Sequence, residues 1–233
     1  MVSKYIIKLS ILFAVVLFTG CATNYIPGVA NAPLLKNKGE IQASINGGTS
    51  AFSPKTAYAI SDNIGVMLNG SFSNRDTSSV NSIMHKHNYV EGALGYFESL
   101  GTNGIFEIYA GYGLGNIKTS TSGWAIDKWN TETYFINHRF FIQPSVGYYN
   151  NIIHVIFTTK FSLTNISKNS INKNVFFVSP AATIKLGFKQ MKIVWQFGAS
   201  IRAFGYNESS TVFDYNPFVM NIGIEFDLFR NYE

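Results

Sequence analysis

The sequence predicts an all-β chain closed into an antiparallel barrel of ten strands, with eight as the alternative, and three observations carry that expectation. From Lys38 onward, apolar and polar residues alternate with period two in ten segments, and almost nothing has helical periodicity. The connections between these segments alternate between very short and long. Charged residues make up only 13% of the chain, against about 25% in a typical soluble domain, while aromatics reach 15%. A sheet with one face in water would carry more charge on that face. Strong strand formers with no continuous apolar span after the leader are the pattern of a barrel that spans a membrane with its strands.

The leader comes first. "MVSKYIIKLSILFAVVLFTG" combines Lys4 and Lys8 with a largely apolar run from Leu9 to Phe18 and ends in small residues, which is the architecture of a secretory signal. The run is too short for a spanning helix, which needs about 20 apolar residues. Cys21, the only cysteine, follows "LFTG", and "LFTGC" resembles a bacterial lipobox with Phe18 where leucine is commonest. Residues 1–20 are therefore expected to be a lipoprotein signal peptide, with Cys21 the acylated first residue of the mature chain. The alternative is a free buried thiol, an awkward group in an oxidising compartment. Loss of Lys4 and Lys8 leaves 16 basic against 13 acidic residues, and no basic stripe points to nucleic acid.

Residues 21–37 contain Pro and Asn and no charge before Lys36, and are expected to be an extended periplasmic tether. The absence of acidic residues directly after Cys21 favours an anchor on the periplasmic side of the outer membrane. Residues 38–230 are expected to form the barrel. "SDN" at 61–63, "SLGTN" at 99–103, "NN" at 150–151 and "KQM" at 189–191 are hairpin turns, rich in residues that suit tight turns. Longer polar connections are expected near residues 48–54, 75–85, 118–131, 165–174 and 207–214. Short turns face the periplasm in such barrels and longer loops face outward, so both termini fall on the periplasmic side. An even number of strands closes the sheet without an edge.

Period two assigns the faces. Outward positions are Ile64, Val66, Leu68 and Phe72; Val90, Leu94 and Tyr96; and Phe106, Ile108, Tyr112 and Leu114. They continue with Phe140, Ile142, Val146 and Tyr148, then Val155, Phe157, Phe161 and Leu163, then Ile184, Leu186 and Phe188. Ile193, Trp195, Phe197 and Ile201 precede a last run from Phe218 to Leu228. Aromatics near strand ends suggest an interfacial girdle. "GIFEIYAGYGLG" at 104–115 carries three glycines, but no helix follows to receive a phosphate, so Gly111, Gly113 and Gly115 read as inward positions that make room for bulky groups.

"LFTGC", "YIPGVANAPLLKNKGEIQAS", "AYAISDNIGVMLNGSF" and "EGALGYFESLGTNGIFEIYAGYGLG" together resemble the small outer-membrane β-barrel lipoproteins common in Bacteroidota. The resemblance covers residues 18–115 and implies a fold and an outer-membrane location. It implies almost no chemistry, because the molecular roles of that family are largely uncharacterised.

Parity collects Glu91, Glu107, Glu225 and Asp227 inside with Arg139, Lys160, Lys185 and Arg202, an expected ion-pair network in a narrow lumen. Filled by these groups, the barrel would have a structural or envelope-interaction role, its partners being outer-membrane lipids, the lipid on Cys21 and an outer-loop ligand or envelope protein. The alternatives are a narrow pore for small solutes or ions, and an outer-membrane lipid-modifying enzyme or protease. His85 and His87 in "MHKHNY" read as solvated loop residues, too few for a zinc site. His138 is expected to face outward, His154 lies beside the "NN" turn, and Trp124 and Trp129 sit in the longest loop. With no catalytic motif, the expectation is a non-enzymatic protein without metal or cofactor.

Overall fold

The computed structural model describes residues 28, 30–49, 51–77, 81–123, 131–168, 171–188, 190–205 and 217–229. Regular structure among them is all β, in eleven segments. These are β1 (Ile41–Gly48), β2 (Ser53–Ala59), β3 (Ile64–Thr77), β4 (Asn81–Leu100), β5 (Gly104–Gly123), β6 (Thr131–Tyr149), β7 (Ile153–Lys168), β8 (Ile171–Phe188), β9 (Met191–Ala199), β10 (Ile201–Phe204) and β11 (Phe218–Leu228). Each of β1 to β8 pairs antiparallel with the next, β8 pairs with β9, β9 with β11, and β11 returns to β1. β9 and β10 are one strand interrupted at Ser200, because both lie on β8 in a single register, Ala181 opposite Gly198 and Val178 opposite Ile201. The result is a closed antiparallel barrel of ten strands. β1 and β2, the shortest full strands, are paired on both sides, which excludes the eight-stranded alternative.

Several stretches read as long polar loops are strand. β3 runs to Thr77 and β4 starts at Asn81, with Asn74 opposite Lys86; β5 continues through Lys118 opposite Tyr134; and Asn165 pairs with Asn174. Apolar residues mark only part of each strand, and the hydrogen-bonded ladder continues beyond it. β4 and β5 consequently reach 20 residues each.

The assigned outward positions form a continuous apolar belt. Leu68, Leu94, Leu114, Phe140, Phe157, Ile193, Ile222 and Ile224 are all exposed. Toward the loop end the belt is crossed by a row of polar residues, where Asn88 faces Asn116 and Asn165 stands between His138 and Asn174, with Ile136 and Tyr134 exposed beyond it on β6. Inside, the glycines behave as the sequence suggests: a Cβ at Gly111 would overlap the Gly92 carbonyl, and one at Gly113 the Tyr89 ring.

Candidate functional site: the occupied lumen

Residues 30–35, read from the sequence as part of a linker outside the barrel, instead run through its interior. Ala30, Asn31, Ala32, Leu34 and Leu35 are all buried. The segment belongs to no strand, so its peptide groups must find partners outside a ladder if they are to leave water without a penalty of a few kcal/mol each, roughly. They do. Lys55 Nζ donates to the Ala30 carbonyl at 2.8 Å, Gln196 Nε2 to the same oxygen at 3.0 Å, and Gln143 Nε2 to the Asn31 carbonyl at 2.6 Å. Lys185 Nζ donates to the Ala32 carbonyl at 2.9 Å and Gln42 Nε2 to that of Pro33 at 2.9 Å, while the Leu35 N–H donates to Glu107 Oε1 at 3.1 Å. Six lumen side chains thus hold one strap by its backbone.

Two leucines fix its lower end. Leu34 packs with Ala32, Ile105 and Ile156, and Leu35 with Ala57, Met67, Phe97, Tyr109 and Phe141. Adjacent side chains reach separate clusters, and Leu34 takes a left-handed backbone, φ 56°. That conformation costs a non-glycine residue about 1–2 kcal/mol, which burial of two leucines at roughly 1.5–3 kcal/mol each exceeds.

Around the strap lie the charges. Glu91 accepts from Lys160 Nζ at 2.6 Å and from Asn69 Nδ2 at 3.1 Å, and Arg139 Nη1 is 3.7 Å from its second oxygen. Asn69 in turn accepts from Asn31 Nδ2 at 2.8 Å, joining this cluster to the strap. Arg139 also lies over the Tyr89 ring at 4.5 Å and Lys160 over Phe141 at 4.2 Å. A second cluster pairs Lys185 with Glu225 at 2.8 Å and Lys192 with Asp227. Of the eight groups assigned to the lumen, Glu91, Arg139 and Lys160 therefore meet in one cluster and Lys185, Glu225 and Asp227 in the other. Glu107 holds the strap, and Arg202 is half-buried on the same face nearer the loop end, opposite Phe177. Sequence reasoning missed Lys55 and Lys192. Both stand at inward parity, but Lys55 is on the short β2 and Lys192 adjoins a turn.

A third constellation corrects the reading of His85 and His87 as solvated. Both rings are buried and point inward from β4. Ser71 Oγ is 2.9 Å from His87 Nε2, and His87 Nδ1 is 2.9 Å from His85 Nε2. A hydroxyl, an imidazole and a second imidazole in series are the order of a nucleophile, its base and the group that orients the base. The adjoining cavity, lined by Gly28, Ser71, His87, Asn137 and Arg139 among others, is about 20 Å³, the scale of one water. Among the described residues no three His, Cys, Asp or Glu side chains converge on a point that could hold a metal.

His138 is on the outside, its Nδ1 2.5 Å from the Tyr112 hydroxyl, and His154 is buried beside Tyr149. Cys21, Trp124 and Trp129 lie outside the described residues. No family model matches the sequence, and no curated protein matches it.

Proposed function

We propose that the chain is an outer-membrane β-barrel lipoprotein with a sealed lumen and a structural or envelope-interaction role. The single observation that carries this reading is the combination of an apolar exterior with an interior occupied by the chain's own strap. On β5 the apolar stretch from Phe106 to Leu114 is nine residues long, about 27 Å along the strand and about 21 Å tall at a tilt near 40°. That is close to the roughly 25 Å belt of barrels embedded in lipid. A belt of that extent exposed to water would far exceed the apolar patches soluble monomers carry, roughly 300–600 Å². Inside, two spaces bordering the strap at Gly28 are about 20 Å³ each, the scale of one water, which supports a filled lumen over the pore alternative. Heat modifiability tests the reading. The membrane-fraction protein should run faster on a detergent gel unboiled than boiled; identical mobility, with the protein shed from membranes when Cys21 acylation is blocked, would sink it.

A hydrolytic role has one observation on its side, the Ser71–His87–His85 series. It predicts covalent labelling of Ser71 by a fluorophosphonate, lost in Ser71→Ala. A water-sized cavity with no room for an acyl group predicts no labelling, and that is the result expected here.

A further inference from the structure

The strap has a direction. Leu35 is held by Glu107, near the short-turn start of β5 at Gly104, and packs against Phe97, which stands opposite Glu107 beside the same turn. Asn31 is held by Gln143, about a third of the way up β6 from Tyr149, and Asn69, midway along β3. Gly28 is higher again: a Cβ there would come within 3.1 Å of Arg139 Nη1, and the cavity it borders is lined by Ser71, His87 and Asn116. The second cavity bordering Gly28 is lined by Ser179, Pro180, Ala199 and Val219, again toward the loop end. Read from β1 backward, the chain enters at the short-turn end and climbs past the middle of the lumen.

We propose that the N-terminal segment crosses the membrane plane inside its own barrel, so that the residues before Gly28, with the lipid on Cys21, are delivered to the long-loop mouth and anchor in the outer leaflet. The inference rests on the outer-membrane lipoprotein reading above, with short turns in the periplasm, and it reverses the side of the anchor that the sequence alone suggests. Reach and free space together favour the loop-end exit. The seven residues from Cys21 to Gly28 extend at most about 25 Å. Gly28 borders Val219, one residue from Phe218 at the loop end of β11, whereas β11 runs on to Leu228 at the turn end, about 23 Å along the axis. The loop-end rim is close, and the path back is already filled by residues 30–35 with Leu34 and Leu35 packed across it.

The test uses the full chain with an epitope inserted between Thr23 and Asn24, beside control insertions between Gly101 and Thr102 in a short turn and between Ile126 and Asp127 in the longest loop. In intact cells the Thr23 epitope should bind antibody as strongly as the loop epitope and gain nothing on permeabilisation, while the short-turn epitope appears only after it. A Thr23 epitope reached only after permeabilisation, with the loop epitope reached in intact cells, overturns the proposal. A short-turn epitope reached in intact cells overturns it by a different route, because the assumed orientation is then wrong. If the insertion prevents folding, Asn24→Cys probed with a membrane-impermeant maleimide asks the same question, since an acylated Cys21 cannot react. Mass spectrometry of the N-terminal peptide separates the underlying reading: a surface-exposed but unacylated N-terminus upholds the threading and refutes the lipid anchor.

Discussion

Glu91→Gln removes one negative charge from the middle of the lumen with almost no change in shape. Glu91 is 3% exposed and serves Lys160 at 2.6 Å, Asn69 at 3.1 Å and Arg139 at 3.7 Å. The amide retains an acceptor oxygen for one of them, but it leaves two cations facing each other. Breaking a buried pair by removing one partner costs about 3–5 kcal/mol. Small cavities beside Lys160 and Arg139 admit water and favour the low end, about 3 kcal/mol, or roughly a 150-fold loss in the folding equilibrium. Urea unfolding of the barrel refolded into vesicles, followed by tryptophan fluorescence, measures it; Trp195, half-exposed on β9, reports from the outer face. Adding Lys160→Met removes the stranded ammonium, so the double variant should be more stable than the sum of the single effects by about 1–3 kcal/mol. A single variant within about 0.5 kcal/mol of wild type, the range of an ordinary surface change, or strictly additive effects, would refute a coupled lumen network.

Other substitutions test other parts of the account. Gly113→Phe should abolish the folded gel band, because the new side chain would occupy the place of the Tyr89 ring, whereas Ala110→Phe, exposed on the opposite face of the same strand, should fold normally. Leu34→Ala and Leu35→Ala, at fully buried positions, should each cost about 2–5 kcal/mol in urea unfolding. Leu94→Arg, at a position 58% exposed within the belt, should cost about 2–4 kcal/mol in vesicles if lipid covers it, and almost nothing if water does.

The two faces of the barrel were legible in the sequence because they carry opposite chemistry at period two. Parity alone puts Leu94 out and Glu91 in, and no register is needed for that. Strand length was not legible. Asn74, Lys118, Asn165 and Asn174 have the composition of loops, yet their backbones pair as regularly as those of the belt, since a ladder outside an apolar layer has no reason to keep an apolar face. His85 and His87 were misplaced for the same reason: the strand that buries them extends past the apolar stretch. The strap was hidden more deeply. "ANAPLL" has no periodicity and no charge, and what the lumen recognises in it is mostly main-chain carbonyl, which every sequence has. The available clue was chemical: a run of small and apolar residues broken only by Asn31 has little reason to sit in water. Lys55, at inward parity beside it, was a matching donor.

The central claim is that the barrel is closed by its own N-terminal segment, and ion conductance tests it most directly. Protein shown by gel mobility to be folded is inserted into a planar bilayer and held at a fixed voltage, beside the Leu34→Ala/Leu35→Ala variant, in which the strap loses its apolar anchors. A silent wild type and stepwise opening in the variant are expected. Steady open-channel steps from the wild type would mean that residues 30–35 do not seal the lumen, and the claim would fall.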